Sequence, residues 1–152
     1  MTLTTISGLP AHALLVHAVV VLAPLTALLE ILCALWPAAR RRLVWLVVAF
    51  ALVTTVLTPV TVNAGGWLYD QQRHHSEILN THAERGGWMI YFSVALLVVA
   101  VALALLHWRE DRSGLSVKLA VAVLAIAVGA ASIVQVVRIG DSGARAVWGS
   151  DN

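Results

Sequence analysis

Charge is what this chain has least of. Lys, Arg, Asp and Glu make up 12% of its 152 residues, against roughly 25% in an ordinary soluble domain. That shortage excludes a solvated globular surface, and the mean hydropathy of +0.86 agrees. Cysteine is nearly absent too. The single Cys33 lies inside an apolar run, which excludes an internal disulfide or a dithiol pair and leaves packing as its expected role. There is no HExxH, CxxC, GxSxG or glycine-rich phosphate loop, so nothing supports a hydrolase or a nucleotide-dependent enzyme. The opening "MTLTTISGL" has no Lys or Arg, and a cleavable signal peptide needs a basic start; the first apolar run is expected to be a retained span. Low-complexity tracts and convincing internal repeats are also missing.

What remains is long apolar runs, at about 10–36, 43–69, 81–108 and 117–139. Each exceeds 20 residues, enough to cross a hydrocarbon core of ~30 Å. The expected fold is all-α: residues 1–152 as one integral membrane four-helix bundle, up-down-up-down, with the lipid bilayer as its surroundings. The boundaries carry familiar punctuation. Ser7-Gly8 with Pro10 opens the first helix, and "WPAARRR" closes it at Pro37. Thr81 and Glu84 in "THAE" make a capping box that places His82 at the first helical position. The glycines of "RIGDSG" end the fourth helix.

The net charge of +2 and pI near 9.2 do not point to nucleic acid, because the basic residues gather at span ends. Arg40, Arg41 and Arg42 fill the first connection, and Arg109, Arg112 and Lys118 the third. By the positive-inside rule both connections face the cytoplasm, which leaves both termini extracytoplasmic in a multi-pass protein of the cytoplasmic (inner) membrane. Helices in lipid associate through small and weakly polar residues. Thr54, Thr58, Thr61 and Gly65 mark such a seam on the second helix, as do Ala122, Ala125, Gly129 and Ser132 on the fourth. Close packing explains them, and so does room for a flat ligand in the outer half.

Ionisable groups at membrane depth cost roughly 2.5–3.5 kcal/mol each, so they mark function or pairing. His12 and His17 lie on the first helix, five residues and therefore about 140° apart, and cannot both face one point. The deeper His17 is the stronger candidate for an internal role. Glu30 lies beyond Pro24 on the same helix. It is expected either protonated and hydrogen-bonded to Thr54 or Thr55, or acting in a proton relay. Asp70, His74, His75, Glu77 and His82 cluster near the second connection, and Arg138 and Asp141 close the fourth helix on that side. His107 sits at the opposite side within "LLHWRED".

Three functions fit these residues. One is a b-type haem held by His17 and His82, with His12 nearby and Arg85 or Arg138 pairing with a propionate, in an electron-transfer subunit serving a redox or membrane-complex partner protein. Another is an outer-face module for a divalent metal or proton, built from Asp70, His74, His75, Glu77 and His82. The third is a non-catalytic accessory subunit. A resemblance narrows the fold further. "GLPAHALLVHAVVVLAPL" resembles the signature "LPLHPLLVHFPI" of the membrane family known as domain of unknown function 2231, sharing Leu9-Pro10, His12 and the "LLVH" that ends at His17. "VVRIGDSGARAVWG" is similar to family endings such as "VRIGHSGAKAVWG". Ala13 stands where the family often has Pro, and Asp141 where it often has His. The resemblance implies a four-helix bacterial membrane protein and carries no assigned activity.

Overall fold

Trp36 and Pro37 decide where the first hairpin turns. In the computed structural model, which describes residues 5–6 and 9–149, α1 (Ala11–Leu35) and α2 (Pro37–Asp70) are separated by Trp36 alone. Trp36 is extended (φ −123°, ψ 103°) and Pro37 opens the next helix, where its missing N–H does no harm. The proline therefore starts α2 rather than opening a loop, and the three arginines belong to its first turns. The same proline cannot donate to the Cys33 carbonyl four residues back. Arg40 Nη1 takes that place, donating to Cys33 O at 3.3 Å.

The second hairpin joins α3 (Glu77–Trp108) to α4 (Leu115–Trp148). Ser76 caps α3 by accepting from Leu79 N at 3.2 Å, so the helix begins before the expected capping box. Thr81 instead donates to Glu77 O at 2.9 Å, and His82 falls in the second turn. At its other end α4 runs through "RIGDSG" without a break. Gly140 and Gly143 cost a helix up to about 1 kcal/mol each, but this turn is held by the His82 ring, which packs on Gly143 and contacts Ile139 O and Ser142 Oγ. Arg138 and Asp141 are therefore helical residues well short of the C-terminal cap. Ahead of α1, β1 (Thr5–Ile6) pairs antiparallel with β2 (Leu9–Pro10). Ser7-Gly8 lie outside the described residues, but Pro10, expected in the first helical turn, is in β2, and α1 begins after it at Ala11.

Both α1 and α3 pack on α2 and α4, while α1 and α3 face each other across the diagonal. All four helices are long and apolar enough to cross a membrane. One end of the bundle carries the Trp36 turn and the 109–114 connection, and there Glu110 binds Arg40 and Arg41 at 3.2 Å each. We call this the basic end, and its opposite the histidine end. One apolar layer near the basic end packs Cys33, Val44, Val47, Val99 and Leu103. A second, nearer the histidines, packs Val19, Ala23, Met89, Leu96 and Val136. Gly129 marks a close approach of α4 to α1: a Cβ there would lie 2.9 Å from Ile31 Cδ1.

The register of α1 against α2 is set at both ends, by His12 to Thr61 and by Cys33 to Arg40. It places Glu30 opposite Leu43, not Thr54, which lies about 16 Å nearer the histidine end at 1.5 Å per residue. Accordingly Thr54 donates to Phe50 O (2.8 Å), and Thr55 to Ala51 O (2.8 Å) and Ser93 O (3.0 Å). The expected Glu30–threonine bond does not form. Both Glu30 carboxyl oxygens are buried without a partner.

Candidate functional site

A glycine in a packed helix uncovers the carbonyl four residues before it. Gly65 does this for Thr61 on α2, and Gly143 for Ile139 on α4. Into each opening comes a histidine from the preceding helix. His12 Nδ1 lies 3.0 Å from Thr61 O, and His82 Nδ1 lies 3.2 Å from Ile139 O. A carbonyl can only accept, so each ring carries a proton on Nδ1, and it is Nε2 that bears the lone pair whenever the ring is neutral. The fit is close: a Cβ on Gly65 would sit 2.8 Å from His12 Nδ1, and one on Gly143 2.9 Å from His82 Cε1. Ser142 Oγ, 3.4 Å from His82 Nδ1, donates its own hydrogen to Arg138 O at 2.9 Å.

The same device thus serves two hairpins, and it brings the two imidazoles together across the α1–α3 diagonal. Their ring centroids are 6.3 Å apart and their planes stand at 86°. They border a cavity of about 360 Å³. Five of the ten glycines line it, Gly65, Gly66, Gly86, Gly87 and Gly143, with Val16, Val20, Met89 and Val136 as apolar wall. Thr58 lies deepest among its polar residues, and Tyr69, Gln72 and Ser76 form a polar rim near the α2–α3 connection.

His12, not His17, shares this chamber with His82. Helix geometry requires the choice: with His12 turned inward, a residue about 140° further round must turn away. His17 is exposed on the bundle surface, its ring bonded to Ala13 O of its own helix. Neither Arg85 nor Arg138 lines the chamber. Arg85 Nη1 donates to Arg138 O at 3.0 Å, and the Arg138 side chain is exposed. Asp141 pairs with Arg145 at 3.0 Å on the surface.

The residues of the α2–α3 connection stay apart. His75 stacks on Tyr69 (4.0 Å, 3°) and bonds its carbonyl at 3.1 Å, while Asp70, His74 and Glu77 are exposed. Among the described residues, no three His, Cys, Asp or Glu side chains form a metal-type group. At the other end His107 Nδ1 is buried without a partner. Gly143 was the residue hardest to find from sequence, because glycines after an apolar run read as a helix stop. The Gly-Gly pairs at 65–66 and 86–87, inside apolar runs, were the available signal.

Gly65→Ala is expected to push the His12 ring off Thr61 O. The lost bond costs about 1 kcal/mol, read as a lower melting midpoint in detergent and a shifted His12 ring nitrogen resonance. If both stay put, the ring has more room than the contacts give it.

No curated protein and no solved structure matches the chain. A family model does, over residues 8–151, a stretch that holds both histidines and every glycine of the chamber; the protein belongs to the family described as "Predicted membrane protein (DUF2231)".

Proposed function

We propose that the chamber binds a b-type haem with His12 and His82 as axial ligands, and that the protein is an electron-transfer subunit of a bacterial inner membrane. The observation that carries this reading is the pair of imidazoles 6.3 Å apart, each with Nδ1 tied to a carbonyl and Nε2 free. Two metal–nitrogen bonds of about 2 Å, added to the distance from each nitrogen to its ring centre, give a separation of about 6 Å. Ligating histidines ordinarily hold their other nitrogen against such an acceptor, which fixes tautomer and orientation. Two protein ligands suit haem iron, whose other four nitrogens come with the macrocycle. A closed zinc site needs more donors than converge here. The glycines give a flat ring backbone-close passage between helices. Arg85 stands near enough to His82 for its charge to act there, and by releasing Arg138 O it would be free to pair with a propionate.

The test is a visible spectrum of protein made with ample haem and purified in detergent. A sharp Soret band, with α and β bands after dithionite, is expected. Colourless protein would overturn the haem reading and leave a non-catalytic accessory subunit.

Orientation belongs to the same proposal. The basic end carries Arg40–Arg42, Arg109, Arg112 and Lys118 and should face the cytoplasm, with the chamber opening on the other side. Cys33 is fully buried, so single cysteines report without background. Gln71→Cys is expected to react with an impermeant thiol reagent on intact cells, and Ser116→Cys only after lysis. The opposite pattern inverts the topology.

A further inference from the structure

The haem proposal leaves one buried acid unused. Glu30 is 0% exposed, and neither of its carboxyl oxygens has a partner. Toward the basic end lies Arg40, 2% exposed, whose Nε is also buried and unpartnered. Arg40 donates to Cys33 O, and Glu30 is three residues before Cys33, about 4.5 Å along the axis. The Cys33 thiol lies in the field of both side chains. The Glu30 backbone therefore lies about one helical turn from the carbonyl that Arg40 binds, while the guanidinium is engaged with Glu110, which reaches water at 23% exposure. At this depth the buried residues of α3 and α4 are Val99, Ala100, Ala125 and Gly129, none of them charged. Cys33 on α1 and Arg40 on α2 are the titratable neighbours.

On the other side of Glu30 the interior is not wholly apolar. Thr26, Ser93, Ser132, Thr54 and Thr58 are all under 2% exposed. Thr26, Thr54, Thr58 and Ser93 donate their hydrogens to carbonyls of their own helices, which leaves each oxygen able to accept. Ser132 Oγ has no partner. Gly129 abuts Ala27 O and Ile31, so Ser132 comes level with Thr26, one turn from Glu30. Thr58 reaches the chamber. Buried hydroxyls thus stand at several levels of the bundle between the chamber and the carboxyl group, with the apolar layer of Ala23, Leu96 and Val136 among them.

We propose that Glu30 is a proton carrier on a path along the bundle axis, reached from the histidine chamber through the buried hydroxyls and discharged toward Glu110. The charges balance at each step. At rest Glu30 is a neutral acid and Arg40 pairs with ionised Glu110. Transfer of the proton from Glu30 to Glu110 leaves ionised Glu30 and neutral Glu110, and the guanidinium of Arg40 follows the negative charge. Glu110 then loses the proton to water at the basic end. A proton from the chamber refills Glu30, and Arg40 returns. Acids within spans serve such relays, and their cost at depth is the reason they are rare elsewhere.

The test uses the full chain in phosphatidylcholine vesicles with a trapped pH dye, driven by a valinomycin potassium potential. Wild type is expected to carry protons well above the rate of empty vesicles. Glu30→Gln should lower that flux by roughly tenfold or more, with part restored by Glu30→Asp; His17→Ala should leave it alone. Wild-type flux no faster than empty vesicles, or Glu30→Gln flux within twofold of wild type, overturns the proposal. Should Glu30→Gln fail to reconstitute, dicyclohexylcarbodiimide on wild type replaces it, since this reagent seeks protonated carboxyls in apolar surroundings. Labelling of Glu30 that stops the flux supports the path, and flux that survives full labelling sinks it. Flux and colour are independent readouts: colourless protein that conducts protons would remove the haem and keep the path.

Discussion

His82→Ala protein, prepared with the same haem supply as wild type, is expected to come out of the column nearly colourless. Wild type should show six-coordinate, low-spin haem. Removing an axial imidazole deletes one iron bond and takes the ring from Ile139 O, which keeps Ser142 Oγ at 3.1 Å. Disturbing even an outer partner of a metal ligand typically costs about 10–100-fold in affinity, so loss of the ligand itself should cost more. Three variants make the result specific. His12→Ala should behave like His82→Ala, because the two rings meet the chamber by the same contact with a glycine-opened carbonyl. Gly143→Ala keeps both ligands but puts a methyl group where His82 now rests, and should weaken binding within the 10–100-fold range, roughly. His17→Ala should keep its full spectrum, since that side chain faces away from the bundle interior. A normal spectrum in His82→Ala, in protein that elutes as a folded monodisperse species, would rule out axial ligation by this residue. Loss of colour in His17→Ala alone would restore the pairing first suggested by depth along the helix.

That contrast also shows where the sequence stops speaking. Spans are legible because hydropathy is a property of composition, and four runs longer than a bilayer is thick leave few alternatives. The choice between His12 and His17 was not legible. Their 140° separation says that one faces inward and the other does not, but the sign depends on helix rotation, which neighbouring helices set. The neighbour here is Gly65, where the absence of a side chain admits the ring. Gly143 does the same for His82, yet in sequence it reads as a helix end. Depth is illegible for a related reason. Pairing Glu30 with Thr54 assumed that polar residues find each other, whereas the one-residue turn at Trp36 fixes a register that holds them about 16 Å apart. The arginine run was legible as a charge signal and illegible as structure. One of its members, Arg40, is buried at 2% exposure, because Pro37 leaves a carbonyl that needs a donor.

Arg40 and Glu110 therefore offer the second large effect, and its order can be derived. Glu110→Ala is expected to destabilise the protein by about 3 kcal/mol, because it strands a buried guanidinium and leaves Arg41 beside it unneutralised. Glu110 keeps 23% exposure, which puts the value at the low end for a broken buried pair. Arg40→Met removes the charge itself and fills the space with an unbranched apolar chain. Its cost is mainly the Cys33 carbonyl, which loses its donor and cannot turn to Pro37; one unsatisfied buried acceptor costs about 1–3 kcal/mol, partly offset because no charge now has to be desolvated. Arg40→Met should therefore be milder than Glu110→Ala, although it deletes the larger side chain. The double variant should match Arg40→Met rather than the sum of the two, since two residues in one pair do not act independently. Unfolding midpoints in detergent for these three proteins and wild type close the cycle. Equal costs for the two single variants, or a double variant that shows their sum, would mean that the ion pair is a surface contact and that Arg40 is held by the Cys33 carbonyl alone.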